Sequence, residues 1–170
     1  MFQNPFSLEG KLILVTGAGT GIGRGVALQL ARQGADVAIS YHGSAGGALE
    51  VVEQIIKMGR RATAIRVDLS QVSDCRRVVD EAVHFLGGLD GLFNNAGLTF
   101  TKDFLNVTEE DFDRLYHLNI RGQYFTCQRA VPYLIERGEE LLRQGPRRRR
   151  IAQLAAQPPD LVRHGRVQRR

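Results

Sequence analysis

A glycine-rich segment that directly follows an apolar run is the feature that most restricts how this chain can fold. The apolar run covers residues 12–15, and residues 16–23 then read Thr-Gly-Ala-Gly-Thr-Gly-Ile-Gly. A short continuous apolar run is typical of a strand buried on both faces of a parallel sheet. We therefore predict a strand, a tight turn and a helix, with Gly34 ending the helix. The helix should face the core through Ile22, Val26 and Leu30.

The same alternation of apolar runs and helical periodicity continues to about residue 136. Further strands are predicted at residues 35–41, 62–67 and 89–94. Further helices are predicted at residues 48–58, from a cap at Ser70 or Ser73 to residue 86, and from Thr108 to about residue 136. Strands that alternate with helices need right-handed crossovers and form a parallel sheet. We expect an α/β, doubly wound parallel sheet of about four strands.

Two of these helices carry more detailed expectations. Pro132 lies inside the last helix and should bend it or locally break its hydrogen bonds. Acidic residues at 109–111 suit the first turn of that helix, where the helix dipole favours negative charge. The helix at residues 48–58 should contact the core through Leu49, Val52 and Ile56.

The charge of the chain is divided unevenly between two segments. The net charge is +5, but residues 1–136 hold 13 Lys and Arg against 15 Asp and Glu, whereas residues 137–170 hold 10 Arg against 3 acids. We predict a domain over residues 1–138 and an atypical arginine-rich tail over residues 139–170, disordered or weakly helical. A frameshift near Gly138 in a GC-rich gene would explain this tail. The alternative is a basic arm that binds nucleic acid without sequence specificity.

Cysteine usage and hydropathy bear on the cellular location. Cys75 and Cys127 lie far apart without metal-ligand spacing, so we expect buried, reduced thiols and no metal site. No run approaches the roughly 18 apolar residues of a membrane span, and the N-terminal residues lack a leader-like pattern. We expect a soluble, cytoplasmic protein.

The glycine segment also predicts a ligand. The N-terminus of a helix carries unpaired backbone N–H groups and partial positive charge, so a pyrophosphate binds there if no side chain blocks its approach. Gly17, Gly21 and Gly23 would keep that approach open. A tight turn with close helix packing would also select glycine, but the position between a buried strand and a helix favours nucleotide binding.

The end of the second strand bears on which nucleotide binds. An Asp or Glu there would accept hydrogen bonds from an adenosine 2′-hydroxyl, but the sequence reads Ser40-Tyr41-His42. A 2′-phosphate would meet no repulsion, and Ser40, His42 or Arg24 could interact with it, so NADP(H) is preferred over NAD(H). Alternatively, Tyr41 and His42 are ordinary loop residues. Asp68, after the third strand, could bond the adenine amino group, form a turn, or do both.

Four motifs in register resemble the short-chain dehydrogenase/reductase family, in its three-oxoacyl-reductase-like or glucose-dehydrogenase-like branch. They are residues 16–23, Asp68-Leu69, Asn94-Asn95-Ala96-Gly97, and Asn119 with Gly122. The resemblance covers residues 7 to about 137. It implies a Rossmann-type fold whose C-terminal half is missing from this sequence. The implied cofactor-binding residues are Gly17, Thr20, Gly21, Ile22, Gly23, Tyr41, Asp68, Leu69, Asn95, Ala96 and Gly97.

The resemblance also implies a reaction, namely hydride transfer between nicotinamide and a small ketone or secondary alcohol. In the family a Tyr hydroxyl is the acid/base, a Lys lowers its pKa, and a Ser bonds the reacting oxygen. Asn119 matches the asparagine that helps to hold a water in a proton relay; otherwise it would be a surface residue or bond nearby backbone. Residues 94–97 would hold the end of the fourth strand against the cofactor ribose.

The catalytic Ser and Tyr-x-x-x-Lys are absent from this sequence. The last serine is Ser73, the last lysine is Lys102, and no tyrosine has Lys four residues later. Tyr133, followed by Arg137, is interpreted as a helix-packing residue. We expect catalysis by this chain to be absent or severely impaired. The alternatives are a non-catalytic nucleotide-binding remnant or pseudoenzyme and a basic-tailed, nucleic-acid-associated protein; a homo-oligomer of the family's kind is not expected.

Overall fold

A computed structural model of the protein describes residues 6–144. Four strands form one sheet: β1 Leu12–Val15, β2 Asp36–Tyr41, β3 Ala62–Arg66 and β4 Gly91–Phe93. The helices are α1 Gly21–Arg32, α2 Ala45–Lys57, α3 Val72–Leu86, α4 Glu109–Tyr116 and α5 Gln123–Gln144, with a 3-10 turn at Phe104–Asn106 and a π-helix at His117–Gly122. The arginine-rich tail from residue 145 onward lies outside the described residues.

The sheet is parallel throughout, with strand order β3-β2-β1-β4. Leu14 pairs with Ala38 on one side and with Leu92 on the other. The chain first builds outward from β1 to β3 and then returns to the opposite side of β1 with β4. This reversal places a crevice at the carboxyl ends of the strands, and the expected α/β fold is confirmed.

The core lies in two layers, one on each face of the sheet. Ile13 and Val15 point into the layer that α1 and α2 cover, whereas Leu12 and Leu14 point into the layer that α3 and α5 cover. A strand directs successive side chains to opposite faces. An unbroken apolar run in β1 is therefore what a strand buried on both faces requires.

The buried face of α2 is not the one that its periodicity predicted. Leu49 and Ile56 are 64% and 56% exposed. Apolar residues occupy adjacent faces of this helix, so periodicity alone could not choose between them. The first turn of α2 lies against the glycine segment, where a Cβ on Gly47 would collide with the Gly19 carbonyl oxygen, and this contact restricts how the helix can rotate. The buried residues of α2 are Ala48, Val51 and Ile55.

The start of α3 also differs from expectation, because neither Ser70 nor Ser73 caps it. The N-cap position is Gln71, which makes no side-chain cap bond. The turn before the helix is instead closed by two aspartates. The Asp68 backbone N–H donates to the Asp74 carboxylate at 2.7 Å, and the Ser70 hydroxyl donates to the Asp68 carboxylate at 2.7 Å.

The last predicted helix begins as expected but is not one continuous α-helix. The helix starts at Thr108 as expected, and Thr108 caps α4 in a capping box with Asp111. The π-helix at His117–Gly122 then separates α4 from α5. Pro132 lies inside α5, which continues through it to Gln144.

The expectation that both cysteines are buried is wrong for one of them. Both thiols are free, and Cys75 is buried against α5. Cys127 is exposed, and its sulfur accepts a hydrogen bond from the Asn94 side-chain amide at 2.9 Å. A position inside a helix does not by itself decide whether a side chain faces the core or solvent, so the sequence did not predict the exposure of Cys127.

Candidate functional site

A cleft of about 430 Å³ opens where the carboxyl ends of all four strands meet. Parallel sheets of this topology bind ligands at this edge. The lining combines the glycine segment with residues at the carboxyl ends of β2, β3 and β4. Its residues are Gly17, Thr20, Ile22, Ser40, Tyr41, His42, Val67, Asp68, Leu69, Asn95, Ala96, Gly97 and Leu118.

Most of the predicted cofactor residues line this cleft, including all six at the carboxyl ends of β2, β3 and β4. Three predicted site residues do not line it, namely Gly21, Gly23 and the relay candidate Asn119. Ile22 was expected to face the core, but it is 78% exposed at the cleft. Sequence reasoning missed Val67 and Leu118, whose only signal was that each directly precedes a motif residue.

Gly17 and Gly23 of the glycine segment are packed so closely that neither position can carry a side chain. Gly17 has φ +64°, and a Cβ there would lie 2.8 Å from the Ala96 Cα atom. A Cβ on Gly23 would lie 2.6 Å from the Gly17 carbonyl oxygen and would collide with the Asn95 side chain. Gly23 therefore allows α1 to approach the Gly17 turn and Asn95, although it does not line the cleft itself.

Thr16 and Asn95 tie the glycine segment to the end of β4. The buried Thr16 hydroxyl accepts hydrogen bonds from the backbone N–H groups of Asn95 and Ala96, each at 3.0 Å. In return, the Asn95 amide donates to the carbonyl oxygens of Thr16 at 3.0 Å and Gly17 at 3.1 Å. These bonds hold the two loops that form the floor of the cleft in one arrangement.

The N-terminus of α1 has the properties of an anion site. Thr20 is its N-cap residue but makes no side-chain cap bond, and the first turn contains no acidic residue. The first backbone N–H groups of a helix have no partner within it and attract negative charge. A phosphate group therefore fits this end of the cleft.

The residues expected near a 2′-phosphate have different positions. His42 is exposed and lines the cleft. Ser40 also lines it, but Ser40 is buried and its hydroxyl accepts the Gly17 N–H at 3.1 Å. Arg24 does not line the cleft, and its guanidinium donates to Glu50 at 3.0 Å.

Asp68 closes the turn that follows β3 and also faces the cleft. Its carboxylate accepts hydrogen bonds from the backbone N–H and the hydroxyl of Ser70, at 3.0 and 2.7 Å. It is therefore a turn residue, and it also lines the cleft. A contact between Asp68 and an adenine amino group stays a prediction.

Asn119 binds the backbone of the loop that follows β4. Its side-chain oxygen accepts the Leu98 N–H at 2.9 Å, and its amide donates to the Leu98 carbonyl oxygen at 2.8 Å. Leu118, the preceding residue of the π-helix, lines the cleft. Asn119 thus holds residues 97–98 beside the cleft, and its suggested part in a water relay stays a prediction.

Gly122 sets how closely the π-helix approaches the sheet. A Cβ at this position would collide with the Leu69 carbonyl oxygen, so only glycine allows the present spacing. Leu69 lines the cleft at the end of β3. The motif pair Asn119 and Gly122 therefore joins the π-helix to both sides of the site.

Neither membrane spans nor metal sites are found anywhere in residues 6–144. No helix in this range has both the length and the hydropathy needed to cross a bilayer. Within the same range, no group of three or more His, Cys, Asp or Glu residues is arranged to hold a metal ion.

Comparison with curated proteins gives relatives about twice as long as this chain. The hydroxynaphthalene reductase-like protein Arp2 of Metarhizium robertsii is 44% identical over 140 residues, which is 82% of this chain and 52% of that protein. A short chain dehydrogenase of Claviceps purpurea is 43% identical over 138 residues, or 81% of this chain and 52% of that protein. The chain thus spans about half the length of these relatives.

Solved structures resemble the chain over a similar range. A short chain dehydrogenase from Burkholderia cenocepacia in complex with NADP has a TM-score of 0.73 and 42% identity, covering 75% of this chain and 52% of that one. A 7α-hydroxysteroid dehydrogenase complexed with NADH and 7-oxo glycochenodeoxycholic acid has a TM-score of 0.75 and 35% identity. The match covers 81% of this chain and 54% of that one.

The family comparison agrees with the geometry of the cleft. The family model described as short chain dehydrogenase matches residues 11–140, which is most of the chain and includes every element from β1 to the greater part of α5. The chain belongs to the short-chain dehydrogenase/reductase family.

Proposed function

We propose that this chain binds a nicotinamide dinucleotide in the cleft, as part of an oxidoreductase that acts on a ketone or secondary alcohol. The observation that carries the proposal is the close-packed glycine segment at the uncapped N-terminus of α1. The α1 N-terminus and Thr20 would hold the pyrophosphate, Asp68 the adenine, and Asn95 to Gly97 the ribose beside nicotinamide. When bound, the cofactor supplies or accepts hydride.

NADP(H) is the preferred cofactor in this proposal. The end of β2 presents Tyr41 and His42 to the cleft and offers no carboxylate that would repel a 2′-phosphate. The N-terminus of α2 lies nearby, its N-cap Ser44 makes no side-chain cap bond, and its first turn holds no acid. Partial positive charge at this helix end would favour the extra phosphate. The Burkholderia relative binds NADP, while the hydroxysteroid dehydrogenase was solved with NADH.

Turnover by this 170-residue chain is expected to be absent or severely impaired. The sequence holds no serine after Ser73 and no Tyr-x-x-x-Lys. A phenol with its usual pKa of about 10 is a poor base at neutral pH unless a cation lies beside it. The residues of this chain would therefore bind and orient the dinucleotide without supplying the acid/base group, as a non-catalytic nucleotide-binding protein would.

Calorimetric titration with NADP⁺ and NAD⁺, followed by a carbonyl panel with NADPH, tests these proposals. We expect saturable binding with NADP⁺ about tenfold tighter, since one or two charge-assisted hydrogen bonds are worth that ratio. We also expect no NADPH oxidation above the rate without protein. No binding of either dinucleotide at millimolar concentration would refute the binding proposal, and tighter NAD⁺ binding would refute the NADP(H) preference. Steady NADPH oxidation would refute the absence of turnover.

A further inference from the structure

Ser40 anchors the glycine segment from the side of β2. The residue is 1% exposed, and its hydroxyl oxygen lies 3.1 Å from the Gly17 backbone nitrogen, whose N–H it accepts. Its carbonyl oxygen accepts the next amide, that of Ala18, at 2.9 Å. One residue therefore binds two consecutive N–H groups of a segment 23 positions earlier in the chain.

The Gly17 peptide is held from the opposite side as well. Its carbonyl oxygen accepts the Asn95 amide at 3.1 Å, and the Ala96 Cα atom would lie 2.8 Å from any Cβ on Gly17. With φ +64°, Gly17 has a conformation that few other residues adopt. Its orientation determines where the chain enters residues 18–20 and thus where the N–H groups at the start of α1 point.

We propose that Ser40 is a positioning residue for nucleotide binding, acting on the pyrophosphate through Gly17 rather than by contact with a 2′-phosphate. This inference rests on the proposed function of the cleft. Loss of the hydroxyl leaves the part-buried Gly17 N–H without its acceptor, and an N–H that is largely shielded from water and lacks a partner is costly. The turn should then shift to reach another partner, which misaligns the N–H groups of α1.

The proposal predicts that Ser40 affects the binding of ligands that contain a pyrophosphate and not of ligands that lack one. NADP⁺ would place its pyrophosphate on the glycine turn. The fragment 2′-AMP carries adenosine and the 2′-phosphate but no pyrophosphate. A Ser40 that donated to the 2′-phosphate would affect both ligands, whereas a Ser40 that acts through Gly17 affects NADP⁺ alone.

The experiment measures both ligands by calorimetry on the full chain, its Ser40→Ala variant and a control, Ser73→Ala, which removes an exposed hydroxyl on α3. Hydrogen exchange of the Gly17 and β1 amides is measured without ligand. For Ser40→Ala we expect about tenfold weaker NADP⁺ binding, 2′-AMP affinity within twofold of the unsubstituted chain, faster Gly17 exchange and unchanged β1 protection. Ser73→Ala should change none of these.

Other outcomes overturn the assignment in distinguishable ways. NADP⁺ affinity within twofold of the unsubstituted chain, equal weakening of both ligands, or unchanged Gly17 exchange each refutes the role of Ser40 alone. Loss of β1 protection in Ser40→Ala would mean that Ser40 stabilises the whole sheet and not the Gly17 turn alone. This outcome would also refute the assignment. An unsubstituted chain that binds neither ligand refutes the proposed function, and this inference with it.

Discussion

Gly17 shows at the scale of one residue how a missing side chain shapes the cleft. Its positive φ and the nearby Ala96 Cα atom both exclude a Cβ. Gly25 provides a contrast, because it lies exposed in α1 and a Cβ there would meet nothing within 4 Å. Both glycines belong to the same strand–turn–helix unit, but only Gly17 has surroundings that exclude a side chain.

We predict that Gly17→Ala weakens NADP⁺ binding at least about tenfold, because a left-handed Ala costs about 1–2 kcal/mol and the turn must also move away from Ala96. Gly25→Ala should leave binding unchanged and raise the stability of α1 by about 1 kcal/mol, since Ala favours helix interiors. Titration and thermal denaturation check both variants. Equal NADP⁺ affinity of Gly17→Ala and the unsubstituted chain would contradict this account of the turn.

At the scale of elements, the turn into α3 depends on an ionised carboxylate. The pKa of Asp74 is lowered from its usual value of 3.8, first because the Asp68 backbone N–H donates to it and also because Arg77 lies beside it. A carboxyl whose pKa is lower in the folded state stabilises that state above the usual pKa. This stabilisation disappears as the pH falls through the lowered value.

Asp74→Asn should therefore lower the free energy of unfolding at pH 7, and the deficit should shrink as the pH drops below about 3.8. Urea denaturation at pH 7 and pH 3 measures the difference. Asp113→Asn, which changes an exposed residue of α4, provides the control and should show a smaller deficit at pH 7. A deficit for Asp74→Asn that grows toward pH 3 would be inconsistent with the proposed role of the carboxylate.

At the scale of the whole molecule, α4, the π-helix and α5 carry an apolar surface. Among residues 6–144, β4 pairs only with β1, so its other edge has no partner strand. An exposed strand edge and a continuous apolar surface both promote association. The exposed apolar residues of this surface are Phe112, Tyr116, Ile120, Tyr124, Val131 and Ile135.

We predict that the chain has low stability or associates at micromolar concentration. A double variant, Val131→Lys with Ile135→Lys, should associate less. Light scattering across a concentration series measures this effect. Gln29→Lys, which adds positive charge on the exposed surface of α1, should leave association unchanged. A soluble monomer that unfolds cooperatively well above about 50 °C would contradict the prediction. Mesophilic domains usually have a Tm of about 45–65 °C.

The sequence by itself determined the order of the four strands and the first three helices, the tight turn at Gly17 and the start of a helix at Thr108. These features depend on local periodicity, local steric demands and side chains that bond backbone three residues away. They were predictable because nearly all of the information lies within a few neighbouring residues. The family motifs also located most of the cleft, since parallel strands bring their carboxyl ends to one edge.

Only the tertiary structure decided which partner each side chain has. Ser40 binds Gly17, Arg24 binds Glu50 and Asn119 binds Leu98, and in each pair the two residues lie 21 to 26 positions apart in the chain. The π-helix and the rotation of α2 likewise depend on close contacts with other elements. Local patterns leave several partners and faces equally satisfactory, and the packing of the whole molecule selects one.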